Sequence, residues 1–299
     1  MLAGAGLLAA VVGFVSSQGL LTPLLFGAGM GMLALGLGLS ASAQACQRRA
    51  DGLAGYAGPS PVLVFAAAAA AGLAIQVLVL LVAGGDPGLP DSVGLIVSSA
   101  TIAVSALAAV ALLVVGSGAL RWRDMGLRQA DRDRAAALTD IALGAALAVP
   151  TLFLAGVIAI VLVGLLGVGP EPIIPLTPDP DILLASLVAA VVVAPIWEEL
   201  FFRGFATTAW ARMTGTRAAI VRGAVFFALV HVLTGLGGDV GTAARVALIA
   251  FSVRLPVGIV LGWLFLRRRS LLAAIALHAT YNGLPILLYA ATAGSLPGS

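Results

Sequence analysis

For most of its length the chain does not alternate apolar with polar positions. Apolar residues run on in long blocks, and short clusters of charge, proline and glycine separate them. A helix needs about 20 apolar residues to cross a bilayer. Continuous runs rich in Leu and Ala favour helices over the alternating strands of a barrel. By that measure nine spans are expected, at roughly 2–17, 19–45, 62–84, 93–119, 136–167, 182–211, 218–236, 241–266 and 270–292. The first is short, and without a basic start or an Ala-x-Ala cleavage site it reads as a retained span, not a signal peptide. The fifth is long enough to tilt or to break at Pro150. Gly27 with Gly31, and Gly258 with Gly262, give small-xxx-small spacings suited to close helix packing. The expected fold is an all-α polytopic transmembrane bundle. Accessory helices and a basic loop would occupy 1–135, and a core of the last four to five spans 136–299.

Composition sharpens this picture. Hydrophobic residues make up 61% of the chain and charged ones 10%, where a soluble domain carries about 25% charged residues. Mean hydropathy is +1.12, which marks an integral membrane protein. All 16 cationic residues are Arg, against 13 acidic ones. The arginines lie in short loops between apolar spans, without a basic stripe on a soluble face, so nucleic acid is excluded as a partner. From residue 46 onward, loops containing Arg alternate with acid-only loops. By the positive-inside rule the Arg loops are cytoplasmic and the C-terminus lies outside. The Arg-only, Ala- and Gly-heavy composition points to a GC-rich bacterial genome and hence to the plasma membrane. Cys46 is the only cysteine, so intrachain disulfides and Cys-cluster metal sites are excluded.

Ionisable residues inside spans are costly, at about 2.5–3.5 kcal/mol each on insertion scales. Spans one to five hold almost none. Asp140, near the start of span five, is expected to snorkel to the interface, and Gln76 to hydrogen-bond between helices. Spans six to nine differ, carrying Glu198, Glu199, Arg203, His231, Arg245, Arg254 and His278. Residues four apart share a helix face, so Glu199 and Arg203 pair, and the His278 imidazole and Asn282 amide lie on one face. Glu198 is rotated by about 100° and lacks that cation. An unpaired carboxylate in a low-dielectric site suits a general base. Pro195, one turn earlier, removes a backbone hydrogen bond and is expected to kink the helix and free a carbonyl. Counting 1.5 Å per residue puts Glu198, His231 and His278 within about 10–20 Å of the cytoplasmic face.

Peptide hydrolysis is the chemistry this set could perform. Glu198, alone or with His231, would take a proton from water, and His278 and the Asn282 amide would stabilise the oxyanion. Alternatively His231, His278 and Glu198 would be ligands of Zn²⁺, although no His-Glu-x-x-His signature is present. A serine or cysteine nucleophile is not apparent.

The segments Glu-Glu-Leu-Phe-Phe-Arg (198–203), Phe-Ala-Leu-Val-His (227–231) and His-Ala-Thr-Tyr-Asn (278–282) resemble the motifs Glu-Glu-x-x-x-Arg, Phe-x-x-x-His and His-x-x-x-Asn. Three such motifs in order, on spans six, seven and nine, mark the CAAX protease and bacteriocin-processing family of intramembrane proteases. The likeness extends through Gly258–Leu264 and Arg269–His278 and covers about residues 182–290. It implies an intramembrane endopeptidase acting on a membrane-associated peptide or protein. Glu198 would activate water with help from His231, Glu199 and Arg203 would support it, and His278 and Asn282 would form the oxyanion site. Family members have been described as both glutamate and metalloproteases, so the resemblance leaves zinc open. A catalytically silent scaffold or bacteriocin-immunity protein on the same helices is the alternative. The motifs do not specify an oligomeric state.

Overall fold

The computed structural model describes residues 1–15, 21–82, 90–127, 133–169, 177, 179–232 and 239–293. Among these residues every long element is helical and no strand occurs. The helices are α1 (Leu2–Val15), α2 (Leu21–Ala50), α3 (Pro61–Val82), α4 (Asp91–Val115), α5 (Arg134–Leu166), α6 (Pro180–Thr214), α7 (Thr216–Val232), α8 (Val240–Arg268) and α9 (Leu271–Ala293). Seven are long and apolar enough to cross a membrane, and the chain is an integral membrane protein. The exceptions are α1, with 14 residues, and α7, with 17. Residues 233–236 of the seventh expected span lie outside the described residues.

Local chemistry sets the helix ends. Asp179 caps α6, accepting from Asp181 N at 2.8 Å and Ile182 N at 3.2 Å, with Pro180 at the first helical position. Pro there loses nothing, because that N–H has no intrahelical partner anyway. Asp239 caps α8 in the same way, through Gly241 N and Thr242 N. Gly167 closes α5 with φ +65°, a left-handed cap that costs glycine little. The fifth expected span is one unbroken helix, with Pro150 inside it.

The chain divides into two compact units, Met1–Trp122 and Arg123–Ser299. In the first, α1 lies against α2 at small residues: a Cβ on Gly6 would collide with backbone at Gly29, Met32 and Leu33. The expected pair Gly27/Gly31 is not this seam. Gly27 faces Val77, and Gly31 has open space around it. Without a hydrophobic driving force between helices in lipid, such close backbone approach is what packing energy rests on. Gln76 Nε2 donates to Ser98 Oγ at 3.2 Å, linking α3 to α4 as expected.

In the second unit α9 crosses α5 at Gly144, where any Cβ would meet Ala273 O and Leu277 N. Helix α8 runs back along α7, with Gly258 against Ala224 and Gly262 against Ile220. At the centre is α6, whose residues from Glu198 to Ala209 are all buried. Phe201 packs edge-on to Phe202 and to Phe205, and Phe202 reaches Phe226 and Phe227 of α7.

Asp140 does not snorkel. It is fully buried and accepts from Arg268 Nε at 2.7 Å, tying α5 to the end of α8. In the bundle interior a carboxylate meets an arginine of a neighbouring helix sooner than it meets water. Removing one member of such a pair strands the other charge, at a cost reduced where the partner is partly solvated. Arg268→Met is therefore expected to destabilise the protein by about 1–3 kcal/mol. Arg267→Met, at an exposed position, is the control. Thermal melts in detergent check the difference, and equal melting temperatures would contradict it.

Candidate active site

The backbone of α6 departs twice from α geometry. Residues Val188–Val193 and Glu199–Thr207 are π-helical, with Ala194–Glu198 as an α-helical turn between them. In the first π segment Ala194 N donates to Ala189 O, five residues back. That register would pair Ala190 O with residue 195, and Pro195 has no N–H to give. Asn282 Nδ2 of α9 supplies the missing donor, at 2.9 Å from Ala190 O. The expected free carbonyl is therefore Ala190 O, and α6 carries a wide-turn segment on either side of Pro195. In the second segment threonine hydroxyls reach back five residues, from Thr207 to Phe202 O at 2.8 Å and from Thr208 to Arg203 O at 3.4 Å. Such wide turns are rare and concentrate at functional sites.

Glu199 begins that second segment and is wholly buried. Its Oε1 accepts from Arg203 Nη1 at 2.9 Å and from His278 Nδ1 at 2.7 Å. The Arg203 guanidinium, itself buried, lies 4.3 Å from the Phe227 ring centre, a cation–π contact. Phe227 is a residue whose part the motif did not reveal. Its ring also packs against His231 at 4.3 Å and His278 at 5.9 Å between centroids, and its carbonyl accepts from His231 Nδ1 at 2.8 Å. Only the four-residue step from Phe227 to His231 hinted at this.

These bonds fix the imidazoles. A backbone carbonyl can only accept, so His231 carries a proton on Nδ1. Glu199, paired with Arg203, is an acceptor as well, so His278 also donates from Nδ1. Both Nε2 atoms then face one place. His231 Nε2 is 3.5 Å and His278 Nε2 is 3.9 Å from Glu198 Oε2. Glu198 Oε2 is buried and has no hydrogen-bond partner among the described residues. Arg254 of α8 interacts electrostatically with both Glu198 and His231.

The structure thus gathers Glu198, Glu199, Arg203, His231 and His278, from α6, α7 and α9, into one cluster. Asn282 lies one turn along α9 from His278, tied to Ala190. Cys46 is exposed on α2 in the first unit. Two imidazoles and a carboxylate are donors that zinc accepts, and both rings have the outer partners typical of zinc ligands. As they stand, however, no group of three or more His, Cys, Asp or Glu among the described residues could hold a metal ion.

Residues 180–284 match the family model described as Rce1-like, the type II CAAX prenyl endopeptidase Rce1-like family. The helices that carry the site are thus similar to that family's model. This is the family that the three motifs resemble, and at family level it supports a CAAX-type intramembrane endopeptidase. The matched stretch is about a third of the chain and takes in every residue of the cluster. No curated protein and no solved structure matches the chain significantly.

Because Glu199 is both buried and shared, losing its cation should be severe. Arg203→Ala is expected to cost about 3–5 kcal/mol, since it leaves an uncompensated carboxylate in the interior. Arg203→Lys should recover only part, lacking the flat guanidinium over Phe227. Thermal melts of both variants check this, and a wild-type melt for Arg203→Ala would refute it.

Proposed function

We propose that the protein is an intramembrane endopeptidase that hydrolyses a peptide bond of a membrane-associated peptide or protein, with water activated at Glu198. The observation that carries this reading is the convergence of Glu198 Oε2 with the Nε2 atoms of His231 and His278. Arg203 neutralises Glu199, and Glu198 remains as the carboxylate able to take a proton.

Glu198 removes one proton from the attacking water. His231, whose Nε2 is left as an acceptor by its bond to Phe227 O, receives the other hydrogen as a hydrogen bond. The water oxygen bonds to the scissile carbonyl carbon, and the carbonyl π pair moves onto oxygen. His278, held at Nδ1 by Glu199, in its charged form donates from Nε2 to that oxyanion. Asn282 spends one amide proton on Ala190 O and offers the other. When the intermediate collapses, the C–N bond breaks and the leaving amine takes the proton from Glu198. General-base assistance of this kind contributes about 10²–10⁴ in rate, and each oxyanion donor adds electrostatic stabilisation. This route runs through Glu198, and a metal route would use the same His231, His278 and Glu198 side chains as ligands of Zn²⁺. The alternation of Arg loops with acidic ones supports a site that opens toward the cytoplasmic side.

The probe is a fluorescein-labelled, S-farnesylated peptide ending Cys-Val-Ile-Met, chosen from the family description. Glu198→Gln is expected to lower its cleavage by at least about a hundredfold with an unchanged thermal melt, followed by mass spectrometry of the products. A variant as active as wild type would sink the assignment. Wild type inert toward this probe and toward a total extract of membrane peptides would favour a silent scaffold. Treatment with 1,10-phenanthroline is expected to leave the rate unchanged, and a loss that Zn²⁺ restores would replace the glutamate route with a metal one.

A further inference from the structure

Helices α7 and α8 meet at glycine. Gly258 lies against Ala224 and Gly262 against Ile220, so the two helices run antiparallel at close quarters. Counting 100° per residue from Ile220 and Gly262 puts Arg217 and Val221 of α7 on the same side of this seam as Ile259, Trp263 and Arg267 of α8. Exposure agrees with the count. Val221 is 58%, Ile259 41% and Trp263 46% exposed, and both arginines are exposed. The opposite side carries Ala219, Gly223, Leu261 and Phe265, all buried in the bundle.

The outer groove changes character along its length. Arg217 lies about 4.5 Å and Arg267 about 7.5 Å beyond the Ile220–Gly262 contact, toward the helix ends that carry the Arg loops. Their stems therefore start within roughly 3 Å of one level, on axes about 8–10 Å apart, a gap that two arginine side chains can close. Trp263 is about 6 Å deeper than Arg267, and Val221 and Ile259 are deeper again. Neither arginine has an ion pair or hydrogen bond among the described residues. Arg217 also stands in the first turn of α7, where a cation gains nothing from the helix dipole. By the positive-inside rule this end faces the cytoplasmic leaflet, where tryptophan sits at headgroup level and anionic lipids collect. Guanidinium groups grip phosphate oxygens in pairs. The succession of cation, aromatic ring and aliphatic surface down one groove matches that of phosphate, glycerol and acyl chain.

We propose that the outer α7–α8 groove binds an anionic phospholipid, its phosphate held by Arg217 and Arg267 and its acyl chain lying along Trp263, Ile259 and Val221. Arg217 is roughly 20 Å along α7 from His231, so this site is separate from the candidate active site and does not rest on the protease reading. A general attraction between arginine loops and an acidic leaflet would draw lipid to every such loop alike. The groove differs in bringing two guanidiniums from facing helices onto one level beside a tryptophan. Arg222, 200° round α7 from the Ile220 contact, and Arg269, just past the end of α8, carry the same charge outside it.

The test uses the full chain in phosphatidylcholine vesicles that contain a minor fraction of phosphatidylglycerol, with one lipid or the other brominated on its acyl chains. Bromine quenches a nearby indole, and subtracting the signal of Trp263→Phe isolates Trp263 from the other three tryptophans. Brominated phosphatidylglycerol is expected to quench Trp263 as strongly as about ten times its mole fraction of brominated phosphatidylcholine. Arg217→Gln together with Arg267→Gln should abolish that preference, and each alone should remove part of it. Arg222→Gln together with Arg269→Gln, the same loss of charge, should leave it intact. Thermal melts matching wild type show that the variants are folded. Equal quenching by the two lipids in wild type would overturn the proposal. So would an equal fall in both double variants, the mark of a general charge attraction. Excess inorganic phosphate should leave the quenching unchanged, and its relief would make this a free-phosphate site and overturn the assignment to lipid.

Discussion

A single oxygen atom, Glu199 Oε1, holds the second unit's polar centre together. It receives Arg203 from its own helix and His278 from α9. In a lipid-embedded bundle neither charge would be tolerable alone. Together they cancel, and the cancellation is directional. The Arg203 side of the pair rests on Phe227, while the His278 side turns that imidazole so that Nε2 points at Glu198. Two adjacent carboxylates thereby take different parts, one consumed in structure and the other left without a donor. Were Glu199 and Arg203 absent, Glu198 could still be buried, but nothing would orient the ring opposite it.

The shape of α6 serves the same end. Two π-helical segments flank a short α turn at Pro195, and each deviation leaves carbonyls that must be satisfied from elsewhere. Thr207 and Thr208 answer in the second segment, and Asn282 crosses from α9 to answer in the first. Helix α6 is therefore stitched to α9 at two levels, through Asn282 to Ala190 and through His278 to Glu199. Residues on α9 one turn apart thus grip α6 either side of Glu198. Rigidity of this kind is what a preorganised site requires, since donors aimed in advance cost no reorganisation when charge develops.

Around this centre the packing is that of a membrane bundle. Large apolar side chains such as Phe153, Ile160 and Leu165 of α5 are exposed, as lipid-facing residues would be. The interior mixes Ala and Gly with large side chains such as Phe201, Phe202 and Phe265, and helices approach closely at small residues, as at Gly144 and Gly258. The second of these contacts sets the register of α8 against α7.

Much was legible in the chain itself. Blocks of apolar residues gave the helices and most of their limits, because the bilayer's thickness imposes a length on any span. The rarity of charge in those blocks singled out Glu198, Glu199, Arg203, His231 and His278, because each is too costly to keep without use. The four-residue step sufficed for the Glu199–Arg203 pair. What the sequence could not carry was everything between helices. It did not show that Asp140 meets Arg268, that the α1–α2 seam runs through Gly6 and Gly29 and not Gly27 and Gly31, or that Phe227 supports three polar neighbours at once. Nor could it show that Asn282 repairs the carbonyl left by Pro195. Periodicity along one helix determines which residues share a face. Which faces meet depends on close packing among α5 to α9, and only the folded chain decides that.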